Sequence, residues 1–400
     1  MPVDTTPADI GPLDPLRALQ ARFRRFVDDH VIPAELGTDM GHGPPAALVA
    51  RLRAEAREAG VFAPTAPLEF GGLALSHQAQ GVALEEAGRS LLGPVATHCA
   101  APDEGNILLL DRVATPSQRE RYLAPLATGV VRSSFAMTEP TPGAGSDPDQ
   151  LATAARRVPG GWEITGRKWY ITGARGAAFV IVMARTGEKA TMFLVDADNP
   201  GLRLVRDIPS LDSAFTGGHC EIELDRCRVE DGAVLGEVDA GFAYAQVRLA
   251  PARLTHCMRW LGAARRSHEI AVRYAADRPM FGGVLAELGM AQQLIADNEV
   301  DIAASRALIR AAAAALDDGL PARQETSLAK VFVAEAVFRV VDRSLQLSGA
   351  LGVSGDTVIS AIFKEIRPFR IYDGASEVHR RAIARRAVHR SASGALPGDW

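Results

Sequence analysis

A single acidic residue near the end of the chain has the setting of a catalytic base. Asp373 directly precedes Gly374 in the stretch RIYDGASEVHR, residues 370–380, and the residues that follow have a helical pattern. Burial in a dry pocket raises the pKa of a carboxyl toward the value that suits a general base. Aspartate is also a favoured helix N-cap. This stretch alone is therefore compatible with a proton-abstracting base and with a cap.

Two earlier stretches combine groups that could bind a cofactor. SSFAMTEPTPGAGSDP, residues 133–148, runs from a short apolar strand through Thr138 into a loop with Gly145 and Ser146. Glycine loops expose backbone amides that can bind phosphate or flavin oxygens, but the same residues also form ordinary surface turns. In GRKWYITGA, residues 166–174, Tyr170 could flank a flat ring and Thr172 could donate a hydrogen bond. A strand with half-buried aromatic residues is the alternative.

The elements around these stretches predict an α+β protein with three domains. We expect an N-terminal helical domain at 1–132, a middle β-domain at 133–240 and a C-terminal four-helix-bundle domain at 241–400. Alternating apolar and polar residues between glycine turns predict the strands. Thr115, Pro116 and Gln118 have the pattern of a helix capping box. Runs of strong helix formers predict long C-terminal helices at about 241–277, 287–318, 324–350 and 376–391.

Composition narrows the class of protein. The 400 residues are 47% hydrophobic and 23% charged, as in soluble globular proteins, and the net charge of −4 argues against nucleic acid as a partner. We expect no membrane span, and the N-terminal residues lack a signal-peptide pattern, which predicts a cytoplasmic protein. The four cysteines include no CxxC pair, so we expect buried thiols and no metal site. GxGxxG, P-loop, HExxH and GxSxG motifs are absent from the sequence.

Taken together, TEP…GAGSD and KWYITGA resemble the acyl-CoA dehydrogenase family of flavoproteins. RPMFG at 278–282 and QLSGALG at 346–352 resemble later family motifs, and Asp373 stands where the family places its catalytic carboxylate. The common family residue there is glutamate. A branch with aspartate resembles this chain further in CAAPDEGN, GVSGDT and DGASEVH. Thr141 and Pro142 are an insertion in the TEP loop, which we expect to bulge.

The resemblance implies an FAD-dependent enzyme that desaturates an acyl-CoA thioester at the α,β position. Asp373 would remove the α-proton while the flavin accepts the β-hydride. The implied cofactor-binding residues are Met137, Thr138, Gly145, Ser146, Tyr170, Thr172, Arg278, Phe281, Gln346, Gly349, Ala375 and Glu377. Arg278, Phe281, Gln346 and Gly349 would reach FAD bound mainly by a neighbouring subunit, so the resemblance implies a homodimer or homotetramer. Ser146, Arg253 and Gly374 would contact the substrate.

The resemblance also implies an electron-transfer flavoprotein as the electron acceptor. Two other functions remain open on the sequence. One is a flavin-dependent oxidase of the nitroalkane-oxidase type, which has the same scaffold and also uses aspartate as its base. The other is a non-catalytic helical scaffold or nucleic-acid binder that keeps the fold.

Overall fold

The structure is a computed structural model that describes residues 14–36, 38, 43–145 and 147–393. Helices form both ends of the chain and a β-sheet forms its middle, which confirms the predicted α+β architecture. The N-terminal helices are α1 Pro15–Phe26, α2 Ile32–Glu35, α3 Ala46–Glu58, α4 His77–Ala87, α5 Gly93–Ala96, α6 Asp103–Val113, α7 Pro116–Gln118 and α8 Ala124–Ala127. The C-terminal helices are α9 Gly241–Asp277, α10 Gly289–Asp317, α11 Arg323–Val353, α12 Ile359–Ile366 and α13 Ser376–Ser393.

Local sequence signals explain several helix starts. Asp14 accepts a hydrogen bond from the Leu16 amide, and Pro15 occupies the first helical position of α1. The predicted capping box is confirmed at α7, where the side chains of Thr115 and Gln118 each bind the other residue's backbone amide. The long helices predicted after residue 240 are confirmed as α9, α10, α11 and α13. Helix α12 is an additional helix that we did not predict.

Within the described residues, the middle of the chain forms an eight-stranded sheet. Its order is β6-β7-β3-β2-β4-β5-β8, and β1 pairs with β4 in parallel. Alternate side chains of these strands point into a core that includes Ile164, Val182 and Phe193. The strands are β1 Ser133–Ala136, β2 Ala154–Val158, β3 Gly161–Thr172, β4 Phe179–Thr186, β5 Lys189–Asp196, β6 Leu202–Asp207, β7 His219–Glu230 and β8 Val234–Leu235. A small hairpin, β9 Pro279–Met280 with β10 Gly283–Val284, follows α9.

Helix α9 fixes the N-terminal helices against the C-terminal bundle. It crosses α4 closely, because a Cβ on Gly262 would lie 1.9 Å from the Glu85 carbonyl oxygen, a separation that only glycine permits. Beside this crossing, Arg265 of α9 donates hydrogen bonds of 2.6 Å to the buried carboxylates of Glu85 and Glu86. Because charged groups this deeply buried are stable only when paired, the crossing has one register. Helix α9 is thereby a rigid support for side chains on its other faces.

Other sequence expectations concern cysteines, metals and the membrane. Cys99, Cys220, Cys227 and Cys257 are all buried and unbridged, as predicted. Among the described residues, no cluster of three or more His, Cys, Asp or Glu side chains is arranged to hold a metal ion. None of the helices in the described part of the chain combines the length and apolarity needed to cross a bilayer.

Candidate active site

Asp373 lies in the loop between α12 and α13, with its side chain 18% exposed. Its Oδ2 is 3.3 Å from Nε2 of His256, which comes from α9. Helix α13 begins at Ser376, so the N-cap position falls on Ala375 and not on Asp373. The backbone of Asp373 has a φ of +54°, in the left-handed region that few residues other than glycine adopt. The structure therefore does not place Asp373 at the N-cap position of α13.

Two side chains hold the backbone of this loop in place. Arg253 Nε donates to the Asp373 carbonyl at 2.9 Å, and His379 Nε2 lies 3.2 Å from the same oxygen. Gly374 has a φ of +94°, and a Cβ at this position would lie 2.6 Å from His379 Nε2. His379 is itself buried, with only 5% of its surface exposed. The loop thus has one backbone conformation, which fixes where the Asp373 carboxyl can reach.

The charges around Asp373 favour its ionised form. Burial alone would raise the pKa of this carboxyl, but its neighbours outweigh burial and hold the pKa below its ordinary value: His256, Arg248, Arg253 and Lys330. Our expectation of a raised pKa is therefore wrong for this arrangement. Burial also lowers the pKa of His256 to about 3, so its imidazole is neutral at physiological pH and its Nε2–H can donate to the carboxylate.

Asp373 lies between two concave surfaces. The first, which we call the arginine groove, has a volume of about 610 Å³ and is lined by Arg112, Arg253, Arg323, His379 and Arg386, among others. The second, which we call the inner cavity, has a volume of about 80 Å³, and its wall includes Pro102, Thr216, His256, Arg259, Trp260 and Glu365. Residues that touch Asp373 line both surfaces.

The ends of β1 and β3 present a second group of predicted site residues. The Trp169 amide donates to the Thr138 carbonyl at 3.1 Å, and Ser134 Oγ donates to the Thr172 carbonyl at 3.0 Å. These bonds place Met137 and Thr138 beside Tyr170 and Thr172 at one end of the sheet. The Thr172 hydroxyl lies 3.0 Å from Nδ1 of His219.

A buried ion pair organises the loop after β1. Lys168 Nζ lies 2.8 Å from Glu139 Oε1 and donates to the Met137 carbonyl at 3.0 Å. The other bonds to the Glu139 carboxylate come from the amides of Ala144, Ala152 and Thr153, at 2.6 to 2.9 Å. Glu139 is the acid of the TEP motif. Its function in this structure is to close the loop, and through Lys168 it fixes Met137.

The inserted residues Thr141 and Pro142 lie in an exposed turn. The Glu139 amide donates to the Ala144 carbonyl at 2.7 Å, so the turn between them closes before Gly145. Gly145 is exposed, and a Cβ there would have no neighbour within 4 Å. Ser146, which we predicted to contact cofactor and substrate, lies outside the described residues.

Comparison with known proteins decides the family. Models of the acyl-CoA dehydrogenase N-terminal, middle and C-terminal domains match residues 14–130, 134–227 and 239–388. The chain belongs to the acyl-CoA dehydrogenase family. It is therefore an oxidoreductase and a flavoprotein, and its cofactor is FAD.

Individual relatives cover almost the whole chain. Probable acyl-CoA dehydrogenase FadE2 of Mycobacterium tuberculosis is 36% identical over 94% of this chain and 95% of its own length. The (R)-benzylsuccinyl-CoA dehydrogenase of Thauera aromatica is 33% identical over 91% of this chain and 93% of its own length. Acyl-CoA dehydrogenase family member 11 of Gallus gallus is 33% identical over 91% of this chain, which spans 49% of that longer protein. A solved structure of a proposed acyl-CoA dehydrogenase from Mycobacterium abscessus has a TM-score of 0.87 and 33% identity, covering 95% of this chain and 99% of the other.

The residues of this acyl-CoA dehydrogenase fit an FAD at the sheet end. Tyr170 is 54% exposed with a φ of +55°, and the Thr172 hydroxyl lies at the same end of β3. An aromatic face next to a hydrogen-bonding hydroxyl suits a flat, polar-edged ring.

The remaining predicted cofactor residues lie elsewhere on the C-terminal domain. Arg278 and Phe281 belong to the β9–β10 hairpin, and Phe281 is 91% exposed. Gln346 and Gly349 are exposed on α11, where Gly349 has non-helical backbone angles. Leu347 of α11 and Leu285 beside the hairpin share one apolar cluster, so these four residues form a second group.

Glu377 and Ala375 start α13 near Asp373, and the Glu377 side chain is 78% exposed.

Sequence reasoning predicted Arg253 as a substrate residue but missed other residues that surround Asp373. His256 and Trp260 recur with Arg253 at helical spacing on one face of α9, a signal visible in the sequence. His256 stands next to Cys257. No sequence signal connects it to Asp373, since the two residues are far apart in the chain. Lys330, which donates to the Phe369 carbonyl at 2.6 Å beneath the loop, was also missed.

Proposed function

We propose that this enzyme desaturates an acyl-CoA thioester at the α,β position, with Asp373 removing the α-proton. The observation that supports this most directly is the position of Asp373 between the arginine groove and the inner cavity. Arg253 and His379 line the groove and bind the Asp373 carbonyl, whereas His256 lines the cavity and contacts the carboxyl. The α-carbon of a ligand that spans both surfaces would lie beside the base.

The two surfaces match the two ends of an acyl-CoA. The arginine groove offers Arg112, Arg323 and Arg386 in addition to Arg253, and guanidinium groups bind phosphate through paired hydrogen bonds. The phosphates of CoA would therefore occupy the groove, and the acyl chain would enter the inner cavity. The Gly374 amide beside the base is the proposed donor to the thioester oxygen, which gains negative charge as the proton leaves.

Asp373 performs the proton transfer in its ionised form. The neighbouring cations keep it deprotonated, and the imidazole of His256 lies 3.3 Å from Oδ2 and limits where the carboxylate can turn. When bound, FAD supplies the hydride acceptor for the β-carbon. Met137, Thr138, Tyr170 and Thr172 would hold its ring at the sheet end, with Gly145 and Ser146 near the phosphates. The product is a 2-enoyl-CoA.

We further propose the assembly and the partner of this enzyme. The exposed Phe281 and the exposed α11 residues Gln346 and Gly349 support an FAD site completed by a second copy of the chain, in a homodimer or homotetramer. Arg278 would take part in the same contact, and Ala375 and Glu377 would lie near the cofactor. The proposed electron acceptor is an electron-transfer flavoprotein, and the proposed location is the cytoplasm.

Substitution of Asp373 tests the proposal. We expect Asp373→Asn to bind FAD and acyl-CoA but to slow anaerobic bleaching of the flavin by about 10²- to 10⁴-fold, the usual contribution of a general base. Asp373→Glu should keep part of the activity, and Asp225→Asn, at an exposed site, is the control. Bleaching of Asp373→Asn at the rate of the control would remove this carboxyl from the mechanism. Rapid reoxidation of the reduced enzyme by oxygen would instead indicate an oxidase.

A further inference from the structure

The inner cavity contains polar groups that the chain leaves without partners. Nη2 of Arg259 and Oγ1 of Thr216 are both buried, and neither has a hydrogen-bond partner among the described residues. Both residues line the inner cavity. A buried donor without an acceptor destabilises a protein by about 1–3 kcal/mol, so native structures rarely leave one unsatisfied. Two in the same small cavity indicate that its occupant brings an acceptor.

Arg259 is held so that one nitrogen faces this occupant. Its Nη1 donates to the Cys99 carbonyl at 2.8 Å and lies 3.5 Å from Glu104 Oε2. The residue is 5% exposed, so its guanidinium cannot turn toward water. Glu104 is itself bound by the Thr255 hydroxyl at 2.9 Å. The arrangement fixes the direction of Nη2 and leaves it available.

The charge around the cavity favours an anionic acceptor. Arg53 and Arg132 also line it, and their hydrogen bonds go to backbone carbonyls, which are neutral acceptors. Two carboxyls, Asp103 and Glu365, also line the cavity; burial raises the pKa of Asp103 and raises the pKa of Glu365 to about 7. Glu104 pairs with Arg259, whereas Arg53 and Arg132 form no ion pair within 4.0 Å among the described residues. Their guanidinium groups leave positive charge at the cavity for an anionic acceptor.

The cavity is small and lies one helical turn from the proposed base. His256 separates it from Asp373, and Arg259 follows His256 by three residues, about 4.5 Å along the axis of α9. A volume of about 80 Å³ holds roughly five to eight water-sized groups. Only a short acyl chain fits, and its far end would meet Arg259 and Thr216.

We propose that the enzyme selects short acyl-CoA substrates whose acyl chain ends in a carboxylate, which Arg259 and Thr216 bind at the far end of the inner cavity. This inference rests on the proposed function, because it assumes that the acyl chain enters this cavity. Arg259 and Thr216 are specificity-determining residues in this proposal and take no part in the proton transfer.

Matched pairs of acyl-CoA test the selection. Succinyl-, glutaryl- and adipoyl-CoA each have a neutral isostere in which an isopropyl group replaces the carboxylate: 4-methylpentanoyl-, 5-methylhexanoyl- and 6-methylheptanoyl-CoA. Dissociation constants are measured by calorimetry with FAD-loaded Asp373→Asn, which should bind acyl-CoA while flavin reduction is too slow to contribute heat. We expect at least one dicarboxylyl-CoA to bind about tenfold or more tightly than its isostere, since charge-assisted hydrogen bonds are the stronger class. Equal binding in every pair would overturn the proposal and indicate that water alone fills the cavity.

Variants then assign the preference to the two residues. Arg259→Gln should abolish the ratio between the best pair, and Thr216→Val, which keeps the shape and loses the hydroxyl, should reduce it severalfold. Thr216→Ser keeps the hydroxyl and should preserve the ratio. If Arg259→Gln fails to take up FAD, the two Thr216 variants decide. A ratio that survives both Arg259→Gln and Thr216→Val refutes the assignment.

Flavin bleaching by the same six probes separates this inference from the proposed function. If the isosteres bleach the flavin as well as the dicarboxylyl-CoA compounds do, the desaturation stands and the selection is wrong. If dicarboxylyl-CoA compounds bind preferentially without bleaching, the cavity is assigned correctly and the reaction is not.

Discussion

Replacement of Lys168 by methionine would leave the buried Glu139 carboxylate without its counter-charge. Both side chains are at most 1% exposed, so water cannot replace the ammonium group. Removing one partner of a buried ion pair lowers the free energy of unfolding by about 3–5 kcal/mol. The pKa of Glu139 gives a second estimate: burial alone would raise it, but Lys168, Thr153 and Ala152 lower it to about 2. Against about 4.3 for an unperturbed glutamate, this corresponds to about 3 kcal/mol at pH 7.

The sign of the pH dependence follows from the depressed pKa. The stabilisation by Glu139 is fully present above the unfolded-state pKa of about 4.3 and is lost as pH falls toward about 2. About 1 kcal/mol of it should be lost by pH 3.5. Burial lowers the pKa of Lys168 to about 8, so both partners remain charged at pH 7. Replacing both by Glu139→Gln with Lys168→Met should cost less than the sum of the two single changes.

Urea unfolding followed by tryptophan fluorescence measures this effect locally, because Trp162 and Trp169 lie in the same strand as Lys168. The control is Arg203→Gln, which breaks an ion pair whose arginine is 67% exposed and should cost no more than about 1 kcal/mol. Lys168→Met should also weaken FAD binding, since Lys168 holds the Met137 carbonyl. A Lys168→Met transition that coincides with that of the control would refute the reasoning.

Three further predictions concern other parts of the chain. His256→Phe removes the polar contact of 3.3 Å to the Asp373 carboxyl, so the acid limb of the pH profile for flavin bleaching should move to higher pH, and His256→Asn should restore it. An unchanged His256→Phe profile would contradict the positioning role. Wild-type Glu365 has a raised pKa of about 7 in the folded state, so the native state favours its protonated form and wild type loses stability as pH rises from about 4.5 to 7. Glu365→Gln does not titrate and should therefore gain up to about 3 kcal/mol over wild type in this range. Thermal midpoints at pH 5 and pH 8 measure this gain, and equal differences between variant and wild type at both pH values would refute it. Gly262→Ala forces a Cβ to within 1.9 Å of a backbone oxygen and should destabilise the protein by more than about 2 kcal/mol. Gly81→Ala places its Cβ at 3.7 Å or more from its neighbours and should stabilise its helix by up to about 1 kcal/mol. Similar thermal midpoints for the two variants would count against the close helix crossing.

Local patterns in the sequence predicted the elements that depend on local interactions. The capping residues of α7 and the run of helix formers in α10 act on their own backbone, so the sequence predicts these helices without knowledge of tertiary contacts. Helix α12 was missed because Ile359–Ile366 is short, and no side-chain cap marks its start. Packing of Ile359, Ile362 and Ile366 into the core stabilises it instead.

The identity of the candidate base was predictable, whereas its environment was not. The register of family motifs indicated Asp373, but the contact with His256 joins residues on separate elements, and no periodicity encodes such a pair. The expected rise of the carboxyl pKa followed from burial alone. The structure adds the neighbours that reverse the direction, which are His256, Arg248, Arg253 and Lys330. The same limit applies to Glu139 and Lys168, which meet across β1 and β3 only in the folded sheet.

The shorter reach of aspartate at position 373 is compensated by the rigidity of its loop. Aspartate has one rotatable bond fewer than glutamate, so once its backbone is fixed the carboxylate has fewer alternative positions and loses less entropy on being oriented. Arg253 and His379 fix that backbone through the Asp373 carbonyl, and Gly374 supplies the conformation that lets His379 approach. Arg253 and His379 also line the groove proposed for CoA. In the proposed function, a CoA phosphate bound in the groove would therefore contact the same two side chains that hold the backbone of Asp373.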